Sequence, residues 1–275
     1  MSAVGHAALA ARAQRLRELH RGERPLLLAN AWDVASARLV EAMGFPAVAT
    51  SSAAIANSLG YPDGERISRA EMLEVVARIA RAVQVPVTAD MEAGYGDDLE
   101  ACARALIAAG ATGLNFEDSR GEVELIPLEQ QAERITRLLA AAAAAGVPLV
   151  LNARCDAFFL KAPGGFEPFA EAVRRARAYR AAGAECIFLP GLKDLGSVRR
   201  FLEASPGPLN LLGGPGMPAV AEMAAAGVQR VSLGSGPYRA ALAEARRAAE
   251  ELRGPGTYAR LAEAVPYAEA NALVG

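Results

Sequence analysis

The sequence predicts a (β/α)₈ TIM-type barrel, and three observations predict it. Short β-rich runs alternate with Ala/Leu/Arg/Glu-rich helical segments along the chain, the pattern of a parallel sheet with crossover helices. The punctuation between the runs alternates between proline and glycine four times over, which marks eight strands. The length of 275 residues suits one such barrel, which typically takes ~250.

Each element has its own signal. Leu9, Leu16 and Leu19 share one apolar face, so residues 1–24 read as a leading helix. LLLAN (26–30), VTAD (87–90), LVLNAR (149–154) and LNLL (209–212) each follow a proline, which cannot continue a preceding helix. AVATS (47–51), TGLNFED (112–118), CIFLP (186–190) and RVSLG (230–234) each follow a glycine, namely Gly44, Gly110, Gly183 and Gly227. Glycine ends helices because it tolerates the left-handed conformation. A closed barrel accounts for eight strands more economically than an open doubly wound sheet. The composition shows no break, so one domain is expected, with a barrel core over 25–241 and a C-terminal helical extension over 242–275. Residues 53–67 (AAIANSLGYPDGERI) read as a long loop, because Gly60, Pro62 and Gly64 interrupt them.

Composition narrows the function. With 29 Lys+Arg against 31 Asp+Glu, no basic excess is available to neutralise phosphates, so no nucleic-acid partner is expected. The longest uncharged stretch, 138–153, is interrupted by Gly146 and Pro148 and is too short for a membrane span. The N-terminus lacks the apolar core of a secretory signal. Cys102, Cys155 and Cys186 lie far apart, which fits a reducing cytoplasm rather than a disulfide framework. His6 and His20, the only histidines, precede the first strand, so a His-based triad or metal site is not expected. The only lysines are Lys161 and Lys193. Lys193 follows strand six and is poorly placed for Schiff-base chemistry. GGPG (213–216) resembles a phosphate-binding turn, but such runs are unspecific.

Barrel active sites lie at the C-terminal ends of the strands. There the sequence places Asn30, Ser51-Ser52, Asp90-Met91-Glu92, Glu117-Asp118, Arg154 with Asp156, Pro190, Asn210 and Gly234. This mouth is acidic and holds one arginine. Clustered carboxylates repel unless a cation sits among them, and oxygen ligation without His or Cys suits Mg²⁺. Helix capping competes with this reading for some of the acids, with Asp97 and Asp98 the better cap candidates. Arg154 suits a carboxylate bidentately, or else an internal pair with Asp156 or Glu117. Asp63 lies in a Pro-Asp-Gly turn of the long loop.

DMEAGYGD (90–97) resembles the D-x-D-x-G-Y-G signature of the isocitrate lyase/phosphoenolpyruvate mutase superfamily. SSAAIANSLGYPD (51–63), NFEDS (115–119) and LNARCDAF (151–158) follow in the order and spacing of its other motifs, from about Leu26 to about Ala241. The resemblance implies a (β/α)₈ barrel, bound Mg²⁺ (or Mn²⁺), a 2-oxo acid or enolate as substrate or product, and a homo-oligomer, dimer or tetramer, that exchanges a C-terminal helix. It implies Asp90, Glu92 and Glu117 as the metal set, with Asp90 closest and Glu92 standing where the family usually has Asp. It implies Asp63 as the loop acid completing that set. Ser51, Ser52, Ala53 and Arg154 match the segment that binds the substrate carboxylate, and Asn210 matches a family asparagine after strand seven.

Departures from the family limit the reaction. Isocitrate and methylisocitrate lyases carry K-K-C-G-H on a gating loop, and this chain has no such run. Phosphonate-forming mutases place Lys and Asn after the strand-four acids, where this chain has SRGEVELIP (119–127). The expected function is a Mg²⁺-dependent enzyme acting on a small 2-oxo acid or 2-oxo dicarboxylate through an enolate-like intermediate, as a C–C lyase or decarboxylase. Asp63, Tyr95 and Arg154 are the candidate catalytic residues. Two alternatives stay open: a phosphonate P–C mutase or hydrolase, and a 2-oxo acid sensor with little turnover.

Overall fold

The computed structural model describes residues 5–121, 123–160 and 167–275. Lys161 lies outside them. All eight expected strands are present. Strand β1 comprises Leu26–Leu28 and Asn30–Ala31. It is followed by β2 (Val48–Thr50), β3 (Val87–Asp90), β4 (Gly113–Glu117), β5 (Val150–Arg154), β6 (Cys186–Phe188), β7 (Leu209–Leu212) and β8 (Arg230–Ser232). Every neighbouring pair of these is parallel. The ring closes at β1, whose first segment pairs with β8 and whose second pairs with β2. The break between the two segments falls at Ala29.

Helices follow the strands in turn: α1 (His6–Leu19), α2 (Val34–Ala42), α3 (Ser52–Ser58), α4 (Arg69–Ala82), α5 (Leu99–Ala108), α6 (Leu128–Ala144), α7 (Pro168–Ala181), α8 (Leu195–Ala204), α9 (Val220–Ala225), α10 (Gly236–Arg253) and α11 (Tyr267–Val274). Asp98 caps α5 through Ala101 N–H at 2.9 Å, as its position suggests. One expectation is corrected here. Residues 52–58 are helical rather than loop, because the Ser51 hydroxyl accepts from Ala54 N–H and starts a helix that the Gly60 turn ends. The expected boundary at 241/242 falls inside α10, so the extension continues the last barrel helix without a break.

Strand periodicity sorts the side chains. Leu114 and Phe116 of β4, and Leu151 and Ala153 of β5, face the helices and join the main apolar core. The alternate residues face into the barrel. Leu16 of α1 plugs the N-terminal end of the ring beside Leu26, Leu28, Ala47, Ala49 and Val150. Above this floor the interior becomes polar. Arg230 is fully buried and donates to Asn115 Oδ1 at 3.0 Å; Asn152 donates to the same oxygen at 2.8 Å. The next inward layer is Asp90, Glu117 and Arg154, at the C-terminal mouth, with Glu117 and Arg154 directly opposite each other in register. Among the described residues, no helix is long and apolar enough to cross a membrane.

α10 has no buried residue in its 18, and α11 folds back on α2, where Arg38 Nε donates to Leu273 O at 2.9 Å.

Candidate active site

The mouth is built from the ends of β3, β4 and β5. Asp90 ends β3. Its Oδ2 accepts from Ser52 N–H at 2.9 Å and from the Ser52 hydroxyl at 2.8 Å, and its Oδ1 faces Asn115 Nδ2 at 3.3 Å. The Asp90 N–H donates to Thr50 Oγ1 at 2.9 Å. Two neighbouring elements, α3 and β4, therefore hold this carboxylate, and Thr50 of β2 holds its backbone.

Glu92 is buried and has a left-handed backbone (φ 45°). Its Oε1 accepts from Tyr95 OH at 2.6 Å and its Oε2 from Glu65 N–H at 2.7 Å. Burial pushes its carboxyl up to about 7, with Asp63 and Asp90 adding repulsion and the Tyr95 bond opposing it. Tyr95 (φ 54°) and Glu65 (φ 55°) are also left-handed, and Tyr95 N–H donates to Glu65 Oε1 at 2.6 Å. Three strained non-glycine residues thus lock two loops together, a concentration of strain typical of functional sites. Arg69 holds the carbonyls of Gly94 and Tyr95, and Arg134 holds that of Ala93 and the Asp97 carboxylate.

Glu117 ends β4 and meets Arg154 Nη1 at 2.7 Å. Arg154 Nε donates to Asp156 Oδ1 at 2.7 Å, so both internal pairs foreseen as alternatives are formed. Burial raises the Glu117 carboxyl well above its usual range, against the pull of Arg154, while Asp156, Asp90 and Glu92 add to the rise. Burial disfavours the Arg154 charge, but Glu117 and Asp156 outweigh it and hold the guanidinium protonated. Phe159 packs its ring 5.8 Å from the Arg154 guanidinium carbon.

The sequence-derived residues are therefore sorted by the structure. Asp90, Glu92, Glu117, Arg154 and Tyr95 come together. Asp63 sits in an exposed turn near enough to raise Glu92. Ser51 caps α3 and Ser52 holds Asp90, so both hydroxyls have protein partners, and Ala53 follows them in the first turn of α3. Asn210 is corrected in position: it lies within β7, fully buried and hydrogen-bonded to Ser232 inside the barrel, below the mouth. Asp118 belongs behind the site, accepting from Tyr179 OH at 2.6 Å and pairing with Arg175 at 3.1 Å. Asp156, Glu65, Arg69, Arg134 and Asn115 were not singled out as functional by pattern alone, apart from the position of Asp156 beside Arg154. Their contacts are long-range, and arginine on a helix ordinarily reads as solvated surface. All three cysteines are buried, and burial pushes the thiols of Cys102 and Cys186 up to about 11, so none is a poised nucleophile.

Four acids, Asp90, Glu92, Glu117 and Asp156, cluster at the mouth, and two of them, Glu117 and Asp156, pair with Arg154. The donor set is oxygen only and carries surplus negative charge, which suits a hard divalent cation. Among the described residues, no three acidic side chains converge closely enough to enclose a bare ion.

The chain is thus a parallel, nearly closed (β/α)₈ barrel with an oxygen-rich acidic mouth, the TIM-type class. Residues 16–253 match the phosphoenolpyruvate phosphomutase family. The chain belongs to the isocitrate lyase/phosphoenolpyruvate mutase superfamily. It is 33% identical to an oxaloacetate decarboxylase of Ectopseudomonas mendocina, over 86% of this chain and 83% of that one. It is 34% identical to a 2-methylisocitrate lyase of Aeropyrum pernix, over 70% of this chain and 63% of the lyase. A solved structure from Burkholderia cenocepacia J2315 superposes with a TM-score of 0.81 at 42% identity, covering 87% of this chain and 99% of that one. The superfamily thus joins lyases, decarboxylases and mutases, and the chain is an enzyme of that group.

Proposed function

We propose that the chain is a Mg²⁺-dependent enzyme that breaks the C–C bond one carbon removed from the 2-oxo group of a small 2-oxo acid, between C3 and C4, as a decarboxylase or lyase. The observation that carries this reading is the cluster of Asp90, Glu92 and Asp156 about Glu117 at the barrel mouth, with Arg154 paired to Glu117 and Asp156. Asp90, Glu92 and Glu117 would hold the cation, largely through water. A bound cation would supply the Lewis acidity that polarises the 2-oxo group. Ser52 and Asn115 orient Asp90 before any ligand arrives. Arg154, fixed by two carboxylates and Phe159, supplies the positive charge for the substrate carboxylate, joined by the Ser51–Ala53 segment. Burial and the adjoining Glu92 keep the Tyr95 phenol protonated, so Tyr95 acts as a hydrogen-bond donor that holds Glu92 and not as a base. Asp63, exposed above Glu92, is the candidate base for a substrate hydroxyl. The similarity to an oxaloacetate decarboxylase supports this reading. Loss of CO₂ needs an electron sink and no protein nucleophile, which suits a chain whose thiols are all buried. The phosphonate alternative is the weaker one, because residues 119–127 contain neither Lys nor Asn.

The test is a panel of 2-oxo acids, including oxaloacetate, pyruvate and 2-oxoglutarate, followed by calorimetry and product analysis with Mg²⁺ and with chelator. Metal-dependent binding and metal-dependent release of CO₂ or a cleavage product are expected. Undiminished binding in chelator would overturn the metal role. Binding without turnover of any acid would make the protein a sensor.

A further inference from the structure

Asp118 follows Glu117 in the chain, and strand alternation turns it away from the mouth towards α7. It is fully buried, as is Tyr179, and Arg175 stands four residues before Tyr179 on the same face of α7. The Asp118 Oδ2 accepts from Tyr179 OH at 2.6 Å and from Arg175 Nη1 at 3.1 Å. Its Oδ1 reaches the other way and accepts from Asp156 N–H at 2.9 Å. That amide opens the short 3₁₀ turn Asp156–Phe158, and the first amides of a helical turn have no partner within it. Both oxygens of the Asp156 carboxylate are engaged in turn: Arg154 Nε donates to Oδ1 at 2.7 Å, and the Ser119 hydroxyl donates to Oδ2 at 2.6 Å. A continuous chain of bonds therefore runs from α7 through Asp118 and Asp156 to Arg154. The segment after β4 returns to the same place, where Ile126 N–H donates to Asp118 O at 2.8 Å and Arg175 Nη1 donates to Ile126 O at 2.9 Å. Neutralising Arg175 would need only one Asp118 oxygen, and Glu171 already pairs with that guanidinium at 2.6 Å. The second oxygen has a different task.

We propose that Asp118 is a positioning residue for Arg154: α7 holds Asp118, Asp118 holds the Asp156 amide, and Asp156 sets the plane of the guanidinium. The inference rests on the proposed role of Arg154 in binding the substrate carboxylate, and it adds a residue that never touches the ligand. A guanidinium grips a carboxylate with two parallel bonds only when the two planes are aligned. Loosening Asp156 therefore weakens the grip even though the charge stays in place.

The experiment is a double-mutant cycle on the full chain, with oxalate as the probe and calorimetry in Mg²⁺ as the readout. Asp118→Ala is expected to weaken oxalate about tenfold, the scale of one lost charge-assisted hydrogen bond. Arg154→Lys keeps the charge and loses the planar fork. In that background Asp118→Ala should weaken oxalate by less than about twofold, because no guanidinium remains to be aligned. A purely structural Asp118 would lower the melting temperature in both backgrounds and leave the affinity of the folded protein unmoved. Circular dichroism checks the fold. If Asp118→Ala does not fold, Tyr179→Phe, which removes one hydroxyl from the same chain of bonds, takes its place in the cycle with an expected fall of about threefold. An equal fall in both backgrounds, or no fall in either, overturns the positioning role alone. Absence of oxalate binding by the unaltered protein, or undiminished binding in Arg154→Lys, overturns the parent reading of Arg154 and the positioning role together.

Discussion

Arg230 shows what a single inward-facing side chain costs and controls. It is fully buried, and burial disfavours its charge, yet no carboxylate pairs with it directly among the described residues. Its partners are Asn115 Oδ1 and, at 3.3 Å, His20 Nε2. The other His20 nitrogen, Nδ1, lies 2.8 Å from Leu16 O, so the neutral tautomer carries its proton there and accepts from Arg230. Burial, and then Arg230, lower the His20 pKa to about 3. The unfolded chain, with His20 near 6.5, binds this proton at pH values where the folded chain does not. Folded stability is therefore complete above pH 6.5 and is lost as pH falls from there towards 3. His20→Gln keeps a donor and an acceptor without titrating. Between pH 6.5 and 5, urea denaturation should show the native protein losing ~1.5 kcal/mol more than the variant. Equal losses would mean that His20 titrates as it does in the unfolded chain. The histidine was visible in the sequence only as one that precedes the first strand. Its partner stands 210 residues away, at a spacing no pattern encodes.

Among the elements, the strands were the most legible, because a proline or glycine before each one reports a physical constraint at a helix end. Helix α3 was not, since Gly60, Pro62 and Gly64 signal a loop more loudly than one serine signals a cap. Asp90 and Glu92, two acids of the mouth, were legible through the superfamily signature at the end of β3. The arginines that clamp that loop were not, because each acts from a helix across the barrel surface. Gly113 opens β4 without a positive φ, so its value lies in space and not in backbone freedom. A Cβ there would meet Val150 O at 2.7 Å and Leu16 Cδ2 at 2.8 Å. Gly113→Ala should destabilise by ~1–3 kcal/mol in denaturant titration. Adding Leu16→Ala should not restore the loss, because the Val150 carbonyl belongs to a paired strand and cannot move aside. Full recovery in the double variant would place the whole conflict at the α1 plug.

For the whole molecule, the C-terminal extension leaves apolar surface in water. Leu242, Leu252, Tyr258, Leu261, Val265 and Tyr267 are each at least half exposed, and Tyr267 is 87% exposed. So many exposed large apolar side chains in one stretch of chain point to an association site. We expect a homo-oligomer built through α10 and the segments after it, in which helix exchange would bury these side chains. Light scattering should give a mass of two or four chains, and Leu261→Asp with Tyr267→Asp should lower it. A monomeric mass for the unaltered protein would remove the oligomer from the description.

The closure of the ring at β1 also sets an order of events during synthesis. Asn30–Ala31 finds its partner as soon as Val48–Thr50 has left the ribosome. Leu26–Leu28 must wait for Arg230–Ser232, about 200 residues later. At ~5–20 residues per second this leaves a leucine edge unpaired for ~10–40 s. During that interval Leu16 of α1 has only part of its floor to cover, and the interior asparagines lack Arg230. The nascent chain therefore carries an open, sticky margin for most of its translation. The last strand both completes the sheet and neutralises the barrel's polar interior, which makes that final encounter the step most exposed to aggregation.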